Sequence, residues 1–198
     1  MAEPALSAHA AFDAAGFRAF LETRPDGERW ELIEGVAMQS AAPRIAHQRI
    51  ASNFERHLNA ALRLHRPAWR ADREIGIEVS SRSRYRPEPE VTVIDAATDT
   101  ERSYTDRFYL VMEVPSASDR GRVLERKIAF YRAHPHNRFI LIVEQDALAA
   151  TLHVRSDSET WHVETLSRPG DAIVLGELGA VCTLAEIYAD THLDPRRL

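Results

Sequence analysis

The stretch RFILIVEQ, residues 138–145, carries an uninterrupted apolar run between polar ends. Such a run is typical of a strand that is buried on both faces, in the centre of a sheet. In the preceding segment, 121–134, Leu124, Ile128 and Tyr131 recur at helical spacing. We therefore predict a helix that leads into a central strand.

Further strand patterns lie on both sides of this helix and strand. Residues 29–40 indicate a hairpin that turns at Glu34-Gly35. Strands are also predicted at 74–80, 90–95 and 108–114, and an antiparallel pair at 150–156 and 160–167.

Three more helices complete the pattern. The first spans 13–23 with Asp13 as its N-cap, the longest spans 43–65, and a short one spans 184–190. The longest presents one face formed by His47, Ile50, Phe54, Leu58 and Ala61. This order of elements predicts an α/β sandwich around a mixed sheet.

Composition limits the classes of protein that remain. A chain of 198 residues with 44% hydrophobic content suits one domain, 1–198, with an ordered core of about 14–190. A net charge of −5 argues against non-specific coating of nucleic acid. The single cysteine, Cys182, excludes an internal disulfide and a multi-cysteine zinc site. Without a signal-peptide pattern or a long apolar run, we expect a cytoplasmic protein with no membrane span.

Lys127 is the one lysine among 25 basic residues. On the predicted helix it flanks the apolar stripe, three residues after Leu124 and four before Tyr131. Its stem could pack while the ammonium reaches solvent. Alternatively, the position requires a compact point charge where a planar guanidinium does not fit. Carboxylates close by would favour the second interpretation.

Two glutamates lie on predicted strands. Glu113 is surrounded by apolar residues within 108–114, and Glu90 begins the strand 90–95. A buried acid is costly unless it is paired or bound to a cation, although each could be a strand-end residue in contact with water. Two carboxylates suit Mg²⁺ or Mn²⁺, and an adjacent lysine can orient a water or neutralise phosphate charge.

At these residues the chain resembles the Uma-two family of putative restriction endonucleases, within the PD-(D/E)XK nuclease superfamily. The likeness covers roughly residues 14–190. It is carried, in order, by RWELIEG at 29–35, AHQRI at 46–50, PEVTVID at 89–95, LVMEVPSAS at 110–118, ERKIAFYRA at 125–133, FILIVEQD at 139–146 and TLAEIY at 183–188.

The resemblance implies a restriction-endonuclease-like αβββαβ core. It has a mixed central sheet flanked by helices, plus an N-terminal hairpin and C-terminal antiparallel strands. Glu90 stands in the place of the superfamily's first aspartate and Glu113 in that of the second acid. The superfamily's lysine position holds Pro115, so Lys127 on the following helix takes that role. Val123 replaces an aspartate that the family tends to have four residues before this lysine.

The implied activity is hydrolysis of DNA phosphodiester bonds with Mg²⁺ or Mn²⁺. Glu90, Glu113 and the backbone carbonyl of Val114 would hold the metal, and Lys127 would position water or stabilise the transition state. His47 and Glu31 are second-rank site candidates. Their alternatives are a satisfied core histidine and an outward, solvated acid.

A basic rim on this acidic protein is expected to meet DNA, and a homodimer is expected to cut both strands. The rim candidates, which could also be ordinary solvated arginines, are Arg84, Arg86, Arg120 and Arg122. Two other functions remain open. A catalytically decayed nuclease fold could serve as a DNA-binding or assembly module, and the acid pair could belong to a glycosidase, which would explain neither Lys127 nor the arginines.

Overall fold

The computed structural model describes residues 11–40, 42–116 and 121–197. Its helices are α1 (Ala14–Leu21), α2 (Ile45–His65), α3 (Arg122–Ala133) and α4 (Leu184–Ile187). Its strands are β1 (Trp30–Ile33), β2 (Val36–Gln39), β3 (Trp69–Asp72), β4 (Gly76–Ile77), β5 (Val91–Asp95), β6 (Tyr104–Thr105), β7 (Leu110–Glu113), β8 (Phe139–Val143), β9 (Ala150–Arg155), β10 (Trp161–Leu166), β11 (Ala172–Val174) and β12 (Ala180–Thr183). Within these ranges, no helix is long and apolar enough to cross a bilayer.

The main sheet is mixed, with strand order β10-β9-β8-β7-β5-β3. β7 and β8 pair in parallel at its centre, and the other neighbours are antiparallel. Helix α3 connects the two parallel strands, as such a crossover requires. The path α2-β3-β5-β7-α3-β8 confirms the αβββαβ core, and β9 and β10 are the expected antiparallel extension.

The sheet is covered on both faces. Ile50, Phe54 and Leu58 of α2 are fully buried in the larger core. Tyr131 of α3 and Phe108 belong to a smaller, separate core. Burial of each large apolar side chain contributes about 1.5–3 kcal/mol, so these stripes hold the helices onto the sheet.

The N-terminal hairpin forms as predicted. β1 and β2 pair around Glu34 and Gly35, both with positive φ, at 53° and 83°. Such dihedrals match the twist of a two-residue hairpin. A Cβ on Gly35 would lie 2.8 Å from Nε of Arg84, so glycine also makes room for that side chain. The hairpin thereby presents Glu31 of β1 towards α3.

The predicted strand at 74–80 is wrong. Only Gly76–Ile77 is extended there, as β4 paired with β6. The Ile77 N–H donates to the Pro87 carbonyl at 2.9 Å, outside the main sheet. The first strand of the core is instead β3, which the sequence did not indicate because its four residues, WRAD, include one fully buried side chain, Ala71. The last helix is also shorter than predicted, a single turn over Leu184–Ile187.

Candidate active site

Glu90 and Glu113 lie at the same end of two neighbouring strands. Glu90 immediately precedes β5, and Glu113 is the last residue of β7. Because the strands are antiparallel and pair Val91 with Met112, the start of one meets the end of the other. The Val114 N–H donates to Oε2 of Glu90 at 2.8 Å. The topology therefore brings both predicted acids together.

Lys127 points from α3 into this sheet end. The residue is 4% exposed, so its ammonium does not reach solvent. Its Nζ lies 2.9 Å from Oε2 of Glu113 and 2.9 Å from Oε1 of Glu31. The structure thus favours the buried point charge over the solvent-reaching lysine.

Both second-rank candidates join the same cluster. Glu31 is buried, and besides contacting Lys127 its Oε1 accepts from the Glu88 N–H at 2.7 Å. His47, in the first turn of α2, places Nε2 3.1 Å from Oε1 of Glu90. Glu31 is therefore not an outward, solvated acid, and His47 has a site carboxylate as its partner.

Sequence reasoning missed two supporting residues. The hydroxyl of Tyr131 donates to Oε1 of Glu113 at 2.5 Å. Gln145 donates to the Pro115 carbonyl at 3.2 Å and so anchors the chain that leaves Glu113. The four-residue spacing from Lys127 to Tyr131 puts both on one side of α3, and this spacing is the feature of the sequence that could have identified Tyr131. Tyr131 had been assigned to the apolar stripe alone.

The cluster shifts the pKa values of its members. The pKa of Glu113 is raised to about 8, chiefly by burial and also by the charges of Glu90 and Glu31, while Lys127 and the hydrogen bond from Tyr131 act to lower it. Burial alone would lower the pKa of Lys127, but the three surrounding acids outweigh it and raise it. Burial likewise disfavours ionised Glu90, yet its bond to His47 and the charge of Lys127 lower its pKa. The site therefore holds more acid than one lysine neutralises.

These residues line a cavity of about 360 Å³. Glu88 and Asp146 add two further acids to its wall, and Arg29 and Arg44 add two cations. Arg44 lies 3.4 Å from Asp146, an exposed pair of little energetic weight.

The donor set is compatible with Mg²⁺ or Mn²⁺. Glu90, Glu113 and the Val114 carbonyl are oxygen donors, which these ions prefer. Among the described residues, no group of three His, Cys, Asp or Glu side chains is arranged to hold a metal ion. Both oxygens of Glu113 also have protein donors, so an ion would share this carboxylate with Lys127 and Tyr131.

The expected arginine rim is only partly placed at the surface. Arg86 is 5% exposed and its Nε lies 3.7 Å from Oε2 of Glu78, so its assignment to a DNA-contacting rim is wrong. Arg84 is exposed and donates to the Glu34 carbonyl at 2.7 Å. Arg122 is exposed at the start of α3, and Arg120 lies outside the described residues. None of these four is among the described residues that line the cavity.

Two comparisons with known proteins gave matches. A family model described as Uma2, "Putative restriction endonuclease", matches residues 17–184. The crystal structure of a putative nuclease belonging to DUF820, from Anabaena variabilis, is similar with a TM-score of 0.65. The match covers 86% of this chain and 95% of that one at 15% identity, so it shows the fold alone. No curated protein sequence matches this chain.

Proposed function

From the premise that this chain belongs to the Uma2 family of putative restriction endonucleases, we propose that it hydrolyses phosphodiester bonds of DNA with Mg²⁺ or Mn²⁺. One observation carries the proposal. Glu90, Glu113 and Lys127 come from three different elements and meet in one cavity, with Nζ of Lys127 2.9 Å from Glu113.

In this proposal Glu90, Glu113 and the Val114 carbonyl hold the ion. When bound, it acidifies a water and offsets negative charge on the phosphoryl oxygens. The protein fixes the carboxylates beforehand, since His47 and the Val114 N–H contact opposite oxygens of Glu90. Preformed hydrogen bonds of this kind need no rearrangement during the reaction.

Lys127 has the second role in the proposed hydrolysis, beside the metal ligands. An ammonium carries three donors, and Glu31 and Glu113 each accept one. The third donor is suited to the attacking water or to a phosphate oxygen that gains charge in the transition state. Its burial prevents competition from bulk water.

The direct test is cleavage of supercoiled plasmid DNA. We expect nicking or linearisation with Mg²⁺ or Mn²⁺ and none with EDTA. Glu113→Ala should abolish it. The matched control is Glu164→Ala, an exposed acid on β10, prepared identically to detect contaminating nuclease. Full activity in Glu113→Ala would reject the assignment of the metal site.

A second candidate is a non-catalytic DNA-binding or assembly module. It is favoured because both oxygens of Glu113 and both of Glu90 already have protein donors. Calorimetric titration with Mn²⁺ separates the two functions. The nuclease proposal expects micromolar to millimolar binding that Glu113→Ala removes, whereas DNA retention in a gel shift without Mn²⁺ binding would support the module.

The proposal includes DNA as substrate and a homodimer as the working form, because cutting both strands of a duplex is simplest with two symmetric sites. Sedimentation velocity would show about twice the mass of one 22.4 kDa chain. A cytoplasmic location is also proposed. The free, buried thiol of Cys182 is compatible with a reducing compartment.

A further inference from the structure

A second cavity, of about 470 Å³, opens at the opposite end of the central sheet. Tyr109, which lines it, directly precedes β7, whose last residue is Glu113. Tyr109 and Glu113 are four strand residues apart, which is roughly 13 Å, so this cavity is distinct from the candidate active site. Trp69 of β3 and Phe139 of β8 contribute to it, and the turn Gly176–Leu178 closes one side.

The inner wall is aromatic, and Trp69 covers one face of Tyr109, which is 7% exposed. The rings of Trp69 and Tyr109 stack with centroids 4.1 Å apart and planes inclined by 15°. Phe139, Leu175 and Leu178 extend the apolar surface. Walls of this kind accept planar, apolar groups, and the volume falls in the range of small-molecule pockets.

The rim is basic, and one of its arginines is held in place. The side chain of Arg155 is 13% exposed. Its Nη1 donates to the carbonyls of His134 and Pro135 at 3.0 and 2.9 Å. Its Nη2 lies 3.2 Å from Glu159, whose side chain is 79% exposed. The guanidinium is thus fixed by backbone acceptors, and its acidic partner among the described residues is a solvent-exposed side chain.

A second rim arginine can exchange its partner. Arg138 is 54% exposed and lies 3.6 Å from the fully exposed carboxylate of Asp157. An exposed pair at this distance contributes little, so an anionic ligand can displace the aspartate. Guanidinium groups bind phosphate through two parallel hydrogen bonds. Arg66, whose guanidinium lies 5.6 Å over the Trp69 ring, adds a third cation to the same rim.

We propose that this cavity binds a nucleoside monophosphate, with the base against the apolar wall at Trp69 and the phosphate at Arg138 and Arg155. An aromatic wall and a cluster of arginines together select a ligand that is both aromatic and doubly negative. A phosphate monoester meets this requirement better than a singly charged carboxylate. This site does not depend on the proposed nuclease activity.

Calorimetric titration of the metal-free full chain with dAMP tests the proposal. We expect saturable binding, and Arg138→Gln should weaken it by about tenfold through loss of a charge-assisted contact. Arg63→Gln, an exposed arginine on α2 outside the cavity, is the control and should bind like wild type. Glu113→Gln should also bind normally, which separates this site from the proposed catalytic one.

Three probes resolve which part of the ligand is recognised. Inorganic phosphate and deoxyadenosine should each bind more weakly than dAMP, and quenching of tryptophan fluorescence by dAMP should decrease in Trp69→Phe. No saturation with dAMP, equal affinity for phosphate, or wild-type binding by Arg138→Gln would overturn the proposal. An oligonucleotide with a 5′-phosphate that binds more tightly than dAMP would overturn the assignment to a free nucleotide in favour of a strand end.

Discussion

Two ion clusters in this molecule, each with a buried cation and a buried acid, differ in net charge and in access to a cavity. The cavity cluster, Glu31, Glu113 and Lys127, has two acids on one cation and borders open space. The closed cluster, Arg18, Glu78 and Arg86, has two cations on one acid and is absent from the described linings of both cavities. Buried charge therefore occurs in both clusters, and surplus acid next to a cavity distinguishes the one to which we assign the proposed catalysis.

The closed cluster has a structural explanation. Arg18 from α1 and Arg86 from the loop before β5 both pair with Glu78, whose side chain is 4% exposed. The Arg86 guanidinium also lies 5.7 Å over Tyr104 and 5.9 Å over Phe17. These contacts join the N-terminal helix to the segment that follows β3.

The largest expected effect is on catalysis in the cavity cluster. Lys127→Ala should lower the rate of plasmid cleavage by roughly 10²- to 10³-fold, because the transition state loses a preformed cation. Lys127→Arg should lose most activity too, since a planar guanidinium does not fit between Glu31 and Glu113. Initial rates, with thermal unfolding as a check of folding, measure both. Wild-type cleavage by Lys127→Arg would disprove the argument from side-chain shape.

The closed cluster should affect stability instead. Arg86→Met keeps apolar bulk but leaves Glu78 with Arg18 alone, so the free energy of unfolding should fall by roughly 1–3 kcal/mol. Urea denaturation measures this change. Arg82→Met, at an exposed position four residues earlier, is the control and should stay within about 0.5 kcal/mol. The folded Arg86→Met protein should cleave DNA at a rate close to wild type; a catalytic defect would break the distinction between the clusters.

A contact between Arg132 and His153 shows how a neighbouring positive charge affects a group that could also become positive. Arg132 places Nη2 2.6 Å from Nδ1 of His153. Burial and the arginine charge lower the pKa of His153 from 6.5 to about 4. Between these values the unfolded chain takes up a proton that the folded protein excludes, so stability should fall by about 3 kcal/mol as pH drops from 6.5 to 4.

His153→Gln should flatten that dependence, as measured by urea unfolding at several pH values. His134, whose pKa is also lowered by burial, contributes in the same direction and remains in both proteins. The difference between wild type and variant therefore isolates His153. Parallel pH curves for the two proteins would contradict the assignment.

The smallest expected effect is at Tyr131. Tyr131→Phe removes one hydrogen bond to Glu113 without changing packing, so cleavage should slow by about tenfold. Phe130→Tyr, at a half-buried neighbouring position, serves as the control for altered aromatic content on α3. Unchanged cleavage by Tyr131→Phe would show that Lys127 alone orients the carboxylate.

The sequence predicted elements whose signal is local, and missed those that depend on distant partners. The apolar run at 138–145 and the stripe on α3 each indicate their own structure, so the central strand and its helix were predicted correctly. β3 was missed because its pairing with β5, not its composition, makes it a strand. Arg84 and Arg86 alternate in sequence with nothing to show that one of them turns inward to Glu78.

The residues of the candidate site show the same difference between local signals and distant partners. Lys127 was identifiable because its residue type is rare in this chain, and the acids because they lie at the ends of apolar strands. Tyr131 and Gln145 have no such contrast with their surroundings. Their hydrogen bonds to Glu113 and to the Pro115 carbonyl arise only once α3 and β8 pack beside β7.

Burial of the single lysine has a practical consequence. With its ammonium enclosed between two carboxylates, Lys127 is shielded from acylating reagents in the native state. Reaction at this side chain requires its ion pairs with Glu31 and Glu113 to break, so that the amine can lose its proton. The rate of acylation at one residue, followed by mass spectrometry, would therefore report how often this end of the protein opens.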